Sequence, residues 1–294
     1  MVRKMIIVFL VATGLFISLA GCYQAPVEIH DSKDALPVTE PNESALPKEV
    51  LAPGFSYSEE ELQALPKEAI TWGPGVQKDD KGIPIACLQL QDQYGKYDAL
   101  FLGPEDGKIY LTFDEGYENG YTADILDTLQ NKGVTAVFFI TLDYAEREPE
   151  LVKRMIAEGH VVGNHTANHP NMTKISIEKG REEVQELQEY MLQNFDYAMT
   201  LFRAPEGAIS EQSMALLQSL GYQSVLWSFA YFDWDVNQQM DEQKALEKLC
   251  ENHHPGAIYL LHAVSRTNAH VLGDFIDRMR QAGYEFGSLE ESIW

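Results

Sequence analysis

A chain of 294 residues, 45% of them hydrophobic, can bury one sizeable core of the α/β-barrel size class. Its 45 acidic side chains against 22 basic ones leave a net charge of −23 at pH 7. Such a surface repels phosphate backbones and anionic headgroups, which argues against nucleic acid as a partner.

The N-terminus carries Arg3 and Lys4, then uncharged residues 5–21, then Cys22 in the run Leu19-Ala20-Gly21-Cys22. A short apolar run after a basic start, bounded by small residues, reads as a secretory leader rather than a spanning helix. LAGC has the form of a lipoprotein cleavage site. Residues 1–21 are therefore expected to be a lipoprotein signal peptide, with Cys22 as a lipid-bearing anchor that holds the chain outside the cytoplasm on a membrane. Residues 22–53 are rich in Pro, Glu, Asp and Ser and read as a flexible tether. Residues 54–106 are expected to form a short N-terminal extension packed on a main domain over 107–294. Two further cysteines, Cys87 and Cys250, are as compatible with a disulfide as with free buried thiols.

From Lys108 onward apolar, β-branched runs recur at 108–113, 134–141, 160–163, 200–202, 223–228, 257–261 and 284–286. Amphipathic stretches lie between them, and those at 122–132, 148–158, 210–220 and 270–282 are each followed by glycine, the residue suited to a left-handed helix stop. Repeated strand–helix units imply a parallel sheet, and seven of them suggest closure into a barrel. In such a barrel the C-terminal strand ends share one mouth, where catalysis sits. Asp114, His165, Arg203, Asp233 and His262 each fall at or just beyond a strand end.

Asp114 and Glu115 stand side by side before Gly116. Successive strand residues face opposite sides, so both acids reach the mouth only if Gly116 breaks the pleat. His165 and His169, four apart, share a face if they lie on one helical turn, and can then grip one metal ion. That cation would relieve the repulsion between the acids, one ligating it and the other taking a proton from bound water. Arg203 can hold a carboxylate by bidentate hydrogen bonds, His262 can serve as a general acid, and Asp233 beside Trp234 can orient it. Two imidazoles with one or two oxygens suit zinc, manganese, cobalt or magnesium.

In order, Thr112-Phe113-Asp114-Glu115-Gly116, His165-Thr166-x-x-His169, Arg203-x-Pro205-x-Gly207, Asp233-Trp234 and Leu260-Leu261-His262 resemble the five motifs of the polysaccharide deacetylases, carbohydrate esterase family 4. GYENGYT, GNHTANHP and LLHAVSRTNA resemble one branch, the delta-lactam-biosynthetic muramic acid de-N-acetylases of spore-forming bacteria. The resemblance, over roughly 108–290, implies a distorted (β/α) barrel that removes N-acetyl groups with the help of a divalent metal. By position it implies Asp114 as general base, Arg203 as its orienting partner, and His165 and His169 as metal ligands. His262 would be the general acid and Asp233 its tuner, with a backbone N–H near Tyr144 or Gly207 holding the oxyanion. Glu115 stands where the family usually has a second Asp, and is expected as a third ligand. The branch implies peptidoglycan strands as substrate, stripped of stem peptide by an N-acetylmuramoyl-L-alanine amidase, and a product that cyclises to muramic-δ-lactam in spore cortex. Ala204 and Glu206 depart from the family pattern, and Glu206 puts a negative charge beside the groove. The alternatives are a deacetylase for N-acetylglucosamine or another polysaccharide, and a non-catalytic wall-binding lipoprotein on the same scaffold.

Overall fold

In the computed structural model residues 56–104 and 106–289 are described. The leader, Cys22 and the tether lie outside them. No helix among the described residues is long and apolar enough to cross a membrane.

In chain order the helices and strands are α1 (Glu59–Ala64), α2 (Ile85–Tyr94), β1 (Ala99–Leu100), β2 (Lys108–Glu115), α3 (Thr122–Lys132) and β3 (Val137–Ile140). Then come α4 (Leu142–Arg147), α5 (Pro149–Ala157), β4 (Val161–Asn164), α6 (Ile177–Phe195), β5 (Leu201–Phe202) and α7 (Glu211–Ser219). The series closes with β6 (Gln223–Val225), β7 (Phe229–Ala230), α8 (Glu242–Glu251), β8 (Ala257–His262), α9 (Arg266–Gln281) and β9 (Glu285–Phe286).

Every strand pairing is parallel, as alternating strands and helices require, and the order is β1-β6-β5-β4-β3-β2-β8-β7 with β9 added to β2. β1 and β7 end this path and share no ladder, so the sheet is a curled half-barrel rather than a closed one. This is the distorted barrel the motifs imply. β2 is the spine. Its residues 109–114 pair with 257–262 on one side, and residues 112–115 pair with 137–140 on the other.

The sequence periodicity misses β1, β7 and, among the helices after β2, α4, α8 and the longest, α6. β1 pairs with β6, so the sheet begins before residue 107 and the expected extension is built into it. Trp72 ties the same segment to the mouth, donating its indole N–H to Gly207 O at 2.8 Å and packing 4.7 Å from the Trp227 ring. Cys87 and Cys250 are both free thiols.

Candidate active site

Asp114 is the register partner of His262 across β2 and β8, and of Phe139 across β2 and β3. Its carboxylate faces a cavity of about 760 Å³ that His165, His169, Glu206, Trp227, Trp234 and His262 also line. The strand-end rule therefore brings together Asp114, His165, His169 and His262. Two exposed aromatics, Tyr117 and Trp234, stand at the rim.

Arg203 is fully buried beneath Asp114. Its Nη1 donates to Asp114 Oδ1 at 2.9 Å and to Thr112 Oγ1 at 2.6 Å. Nε and Nη2 donate to the carbonyls of Val225 and Leu226 at 2.9 and 3.1 Å. The guanidinium is also stacked 4.3 Å from the Phe139 ring centroid. The grip on Asp114 is thus through one oxygen, not the expected bidentate fork, and Oδ2 is left facing His165 Nε2 at 3.7 Å. Burial alone would raise the Asp114 carboxyl, but Arg203, with the two imidazoles, holds it below the usual carboxylate range.

His165 follows β4, and its Nδ1–H donates to the Arg203 carbonyl at 2.8 Å, which leaves Nε2 as the unprotonated nitrogen. Burial lowers its pKa to about 4, so the ring is neutral at physiological pH. The segment His165–His169 is not a helical turn as its spacing suggests. Thr166 and His169 have φ of +70° and +55°, and an irregular loop results. Asn164 Oδ1 accepts the Thr166 N–H at 2.8 Å, and Thr166 Oγ1 accepts the His169 N–H at 2.9 Å. Glu183 of α6, buried, accepts the Asn168 N–H at 2.7 Å. These polar clamps, rather than helical periodicity, bring the two rings to 4.8 Å between centroids.

Glu115 corrects the sequence reading. β2 runs unbroken through it, its partner on β3 is Ile140, and Gly116 has no left-handed backbone that would end the pleat early. The side chain therefore points away from the cavity and is fully buried. Neither carboxylate oxygen has a hydrogen-bond partner at normal geometry. Burial first, then the charges of Glu118 and Asp114, push its pKa well above the ordinary glutamate range, with the Ala263 N–H opposing only weakly. The two adjacent acids face opposite sides of the strand, and burial favours the protonated form of Glu115. Folding takes up this proton, so its stabilising effect is greatest at acid pH and declines as pH climbs toward the raised pKa. Glu115→Gln is expected to remove that decline in thermal melts and to leave metal affinity intact. A loss of about tenfold or more in affinity, the scale for a disturbed ligand, would restore Glu115 to the metal.

His262, at the end of β8, donates from Nδ1 to Asp233 Oδ1 at 2.7 Å, and its backbone N–H reaches Asp233 Oδ2 at 2.9 Å. Asn268 Nδ2 donates to the same Oδ2 at 2.6 Å, and Tyr231 hydrogen-bonds Asn268 in turn. Burial disfavours the imidazolium, but the Asp233 hydrogen bond and charge, helped by Asp114, outweigh it and raise the pKa. The shift favours the protonated ring, the form a general acid needs. Asp233→Asn leaves burial to dominate, so the alkaline limb of the kcat/KM profile should move to lower pH. A profile lower in height but unmoved would mean that Asp233 only shapes the site.

The expected oxyanion donors are otherwise engaged. Tyr144 N donates to Thr141 Oγ1 at 3.3 Å and Gly207 N to Ala204 O at 2.9 Å. The amide of Glu206, a left-handed residue with φ +60° on the cavity wall, donates to no partner among the described residues. Gly207 must be glycine, because a Cβ there would come within 2.5 Å of the Trp227 ring.

For a divalent cation the mouth offers His165 Nε2 and the His169 ring, with Asp114 Oδ2 close by at 3.7 Å from His165 Nε2. Neutral imidazole and carboxylate oxygen are the donors such an ion takes. Among the described residues no three acidic, histidine or cysteine side chains are drawn together into one coordination shell. The two imidazole nitrogens suit a divalent metal, and Glu115 does not line this cavity. The residues that sequence reasoning missed are the supports: Thr112, Glu183, Asn268 and Trp227. Thr112, in Thr112-Phe113-Asp114-Glu115-Gly116, and Asn268, in LLHAVSRTNA, sit in motifs that could have flagged them.

A model of the polysaccharide deacetylase family matches residues 103–225. The chain is 40% identical over 236 residues to the peptidoglycan-N-acetylmuramic acid deacetylase PdaA of Bacillus subtilis, covering 80% of this chain and 89% of that protein. It is 31% identical over 230 residues to a peptidoglycan-N-acetylglucosamine deacetylase of Bacillus cereus, covering 76% of this chain and 80% of that one. The solved structure of Bacillus subtilis PdaA, a family 4 carbohydrate esterase, superposes with a TM-score of 0.73 over 77% of this chain and 97% of that chain. With the curled parallel sheet and the Asp114, His165, His169 and His262 mouth in place, the chain belongs to the polysaccharide deacetylase family.

Proposed function

We propose that the chain is a peptidoglycan deacetylase, a hydrolase of the amide bond that joins an acetyl group to a hexosamine, and that its substrate sugar is N-acetylmuramic acid in strands freed of stem peptide. One observation carries the chemistry: a carboxylate whose pKa is lowered (Asp114) and an imidazole whose pKa is raised (His262) stand side by side on one cavity wall, each held by its own partner. Environments that push two titratable groups in opposite directions mark the base and the acid.

Asp114, anchored through Oδ1, presents Oδ2 as the atom that accepts a proton from the attacking water. The Arg203 guanidinium keeps that carboxylate ionised and fixed. His262 Nε2 gives its proton to the amine as the C–N bond breaks, and Asp233 holds the ring in the required tautomer. The free Glu206 amide is the donor placed to meet the developing oxyanion. Trp227 and Trp234 wall the acetyl end from bulk water. A divalent ion held by His165 and His169 would polarise the acetyl carbonyl and acidify water, leaving Asp114 Oδ2 free as the base. Its identity among zinc, manganese, cobalt and magnesium rests on this donor set alone.

The muramic assignment is supported by the identity with the Bacillus subtilis enzyme, and implies prior action of an amidase and later closure to muramic-δ-lactam in spore cortex. The leader and LAGC run support an extracytoplasmic enzyme anchored through a lipid on Cys22. A second reading, N-acetylglucosamine as the reacting sugar, is favoured by Glu206 on the cavity wall, which disfavours an anionic sugar on that side. Mass spectrometry of digested product decides between them. The muramic reading requires that acetyl, and then water, be lost from muramic residues; loss from glucosamine residues alone overturns it.

A further inference from the structure

Beside the catalytic cavity lies a smaller one of about 270 Å³, and Val264 lines both. Asn119, Tyr121, Asn237, Gln239 and Arg266 complete most of its wall. Asn119 lies in GYENGYT and Arg266 in LLHAVSRTNA, two stretches that the catalytic roles leave unexplained. The fold brings them together because the loop after β2 and the loop after β8 leave neighbouring strands, and Asn119 Nδ2 staples them by donating to Val264 O at 2.9 Å.

Gln239 is the fixed back wall. Its Nε2 donates to the carbonyls of Asp233 and Asp235 at 3.1 and 2.8 Å, and its Oε1 accepts from Ser265 Oγ at 2.6 Å. Asp235 already accepts from Asn237 N and Gln238 Nε2. What remains for a ligand is the Asn119 side-chain oxygen, the Asn237 amide and the Arg266 guanidinium, none of which has a further partner among the described residues. No carboxylate lines the pocket. In a chain with twice as many acids as bases, a cavity wall with one cation and no anion is a local inversion of charge.

The opposite side of the catalytic cavity has the other sign. Glu206 follows β5, three strands from β2 in the sheet order and four from β8, and its carboxylate is held by Asn171 Nδ2 at 2.8 Å. A sugar entering the cavity therefore meets an anion on the β5 side, while the cation lies in the smaller pocket beyond Val264 on the β2–β8 side. In muramic acid the lactyl ether on C3 is next to the acetamide on C2. With the acetamide between Asp114 and His262, the lactyl group must lie within a few bonds of the cavity wall.

We propose that this pocket is a carboxylate subsite in which Arg266 binds the lactyl carboxylate of the muramic residue being deacetylated, while Glu206 repels it from the other side. This rests on the muramic reading above. A stem peptide converts the carboxylate to an amide and removes its charge, so the pocket selects strands from which the peptide has been cleaved.

The test is calorimetric binding of a peptide-free disaccharide of N-acetylglucosamine and N-acetylmuramic acid to the full chain, against the same disaccharide with its lactyl carboxylate converted to a carboxamide. The carboxylate form should bind about tenfold more tightly, the worth of one charge-assisted contact. Added salt should narrow the gap. Arg266→Gln and Arg266→Ala should abolish the difference while leaving the carboxamide affinity unchanged, and Arg266→Lys should retain part of it. Equal binding of the two forms by the wild type, or equal weakening of both in Arg266→Ala, overturns the subsite. Acetate release measured in parallel separates the two claims. Discrimination in binding without acetate from muramic strands sinks the deacetylase reading alone. Acetate from both forms at equal kcat/KM, unchanged in Arg266→Ala, sinks the subsite alone.

Discussion

Arg203→Lys should lower kcat/KM for acetate release by about 10²-fold although the positive charge is kept, the scale on which a misplaced catalytic group costs rate. Arg203 makes four hydrogen bonds from three nitrogens, to Asp114, Thr112 and the carbonyls of Val225 and Leu226. An ammonium has three donors from a single point and cannot span these acceptors. At least one carbonyl or the Asp114 oxygen would be left unpaired in a fully buried position. Arg203→Ala goes further. It strands a buried carboxylate, and loss of a buried ion-pair partner costs about 3–5 kcal/mol of stability. The pH dependence carries the sign. Arg203 lowers the Asp114 pKa in the folded chain, so its stabilising effect is present above the ordinary Asp range and is lost as pH falls through the depressed value. Without Arg203, burial dominates, the carboxyl rises, and the acid limb of kcat/KM should move to higher pH. A lysine variant with wild-type rate and unshifted limb would show that Asp114 needs no guanidinium.

Asp114→Asn should cost at least about 10²-fold in kcat, the contribution of a positioned base. The substitution keeps size and can still accept from Arg203, so the fold should survive, as a thermal melt would confirm. What is lost is the Oδ2 lone pair that takes the proton, together with the charge that helps raise the His262 pKa. The residual activity should therefore show an alkaline limb at lower pH than the wild type. Full activity in this variant would remove Asp114 from the mechanism.

The positions of the reacting groups are legible in the sequence because they depend on strand ends, and strand ends are marked by where apolar runs stop. Asp114, His165 and His262 all follow that rule. What periodicity could not show is how the side chains are aimed. The His165–His169 spacing suggests a helical turn, but two left-handed residues and polar clamps from Asn164 and Glu183 make the geometry instead. Glu115 shares its neighbour's chemistry, but the pleat, unbroken until the strand ends, turns it to the far side. The short strands β1 and β7, two residues each, are below what alternation can signal, and both form ends of the sheet. The supporting roles of Thr112 and Trp227 cannot be read from periodicity, since they depend on a contact across 91 positions of chain for Thr112 and on a packing gap for Trp227.

The most direct measurement is acetate released by the purified chain from peptidoglycan with and without its stem peptides, each assayed before and after chelation and metal repletion. The account predicts release that is faster from stripped strands, lost on chelation and regained with a divalent ion. No acetate from either substrate under metal-replete conditions would contradict it.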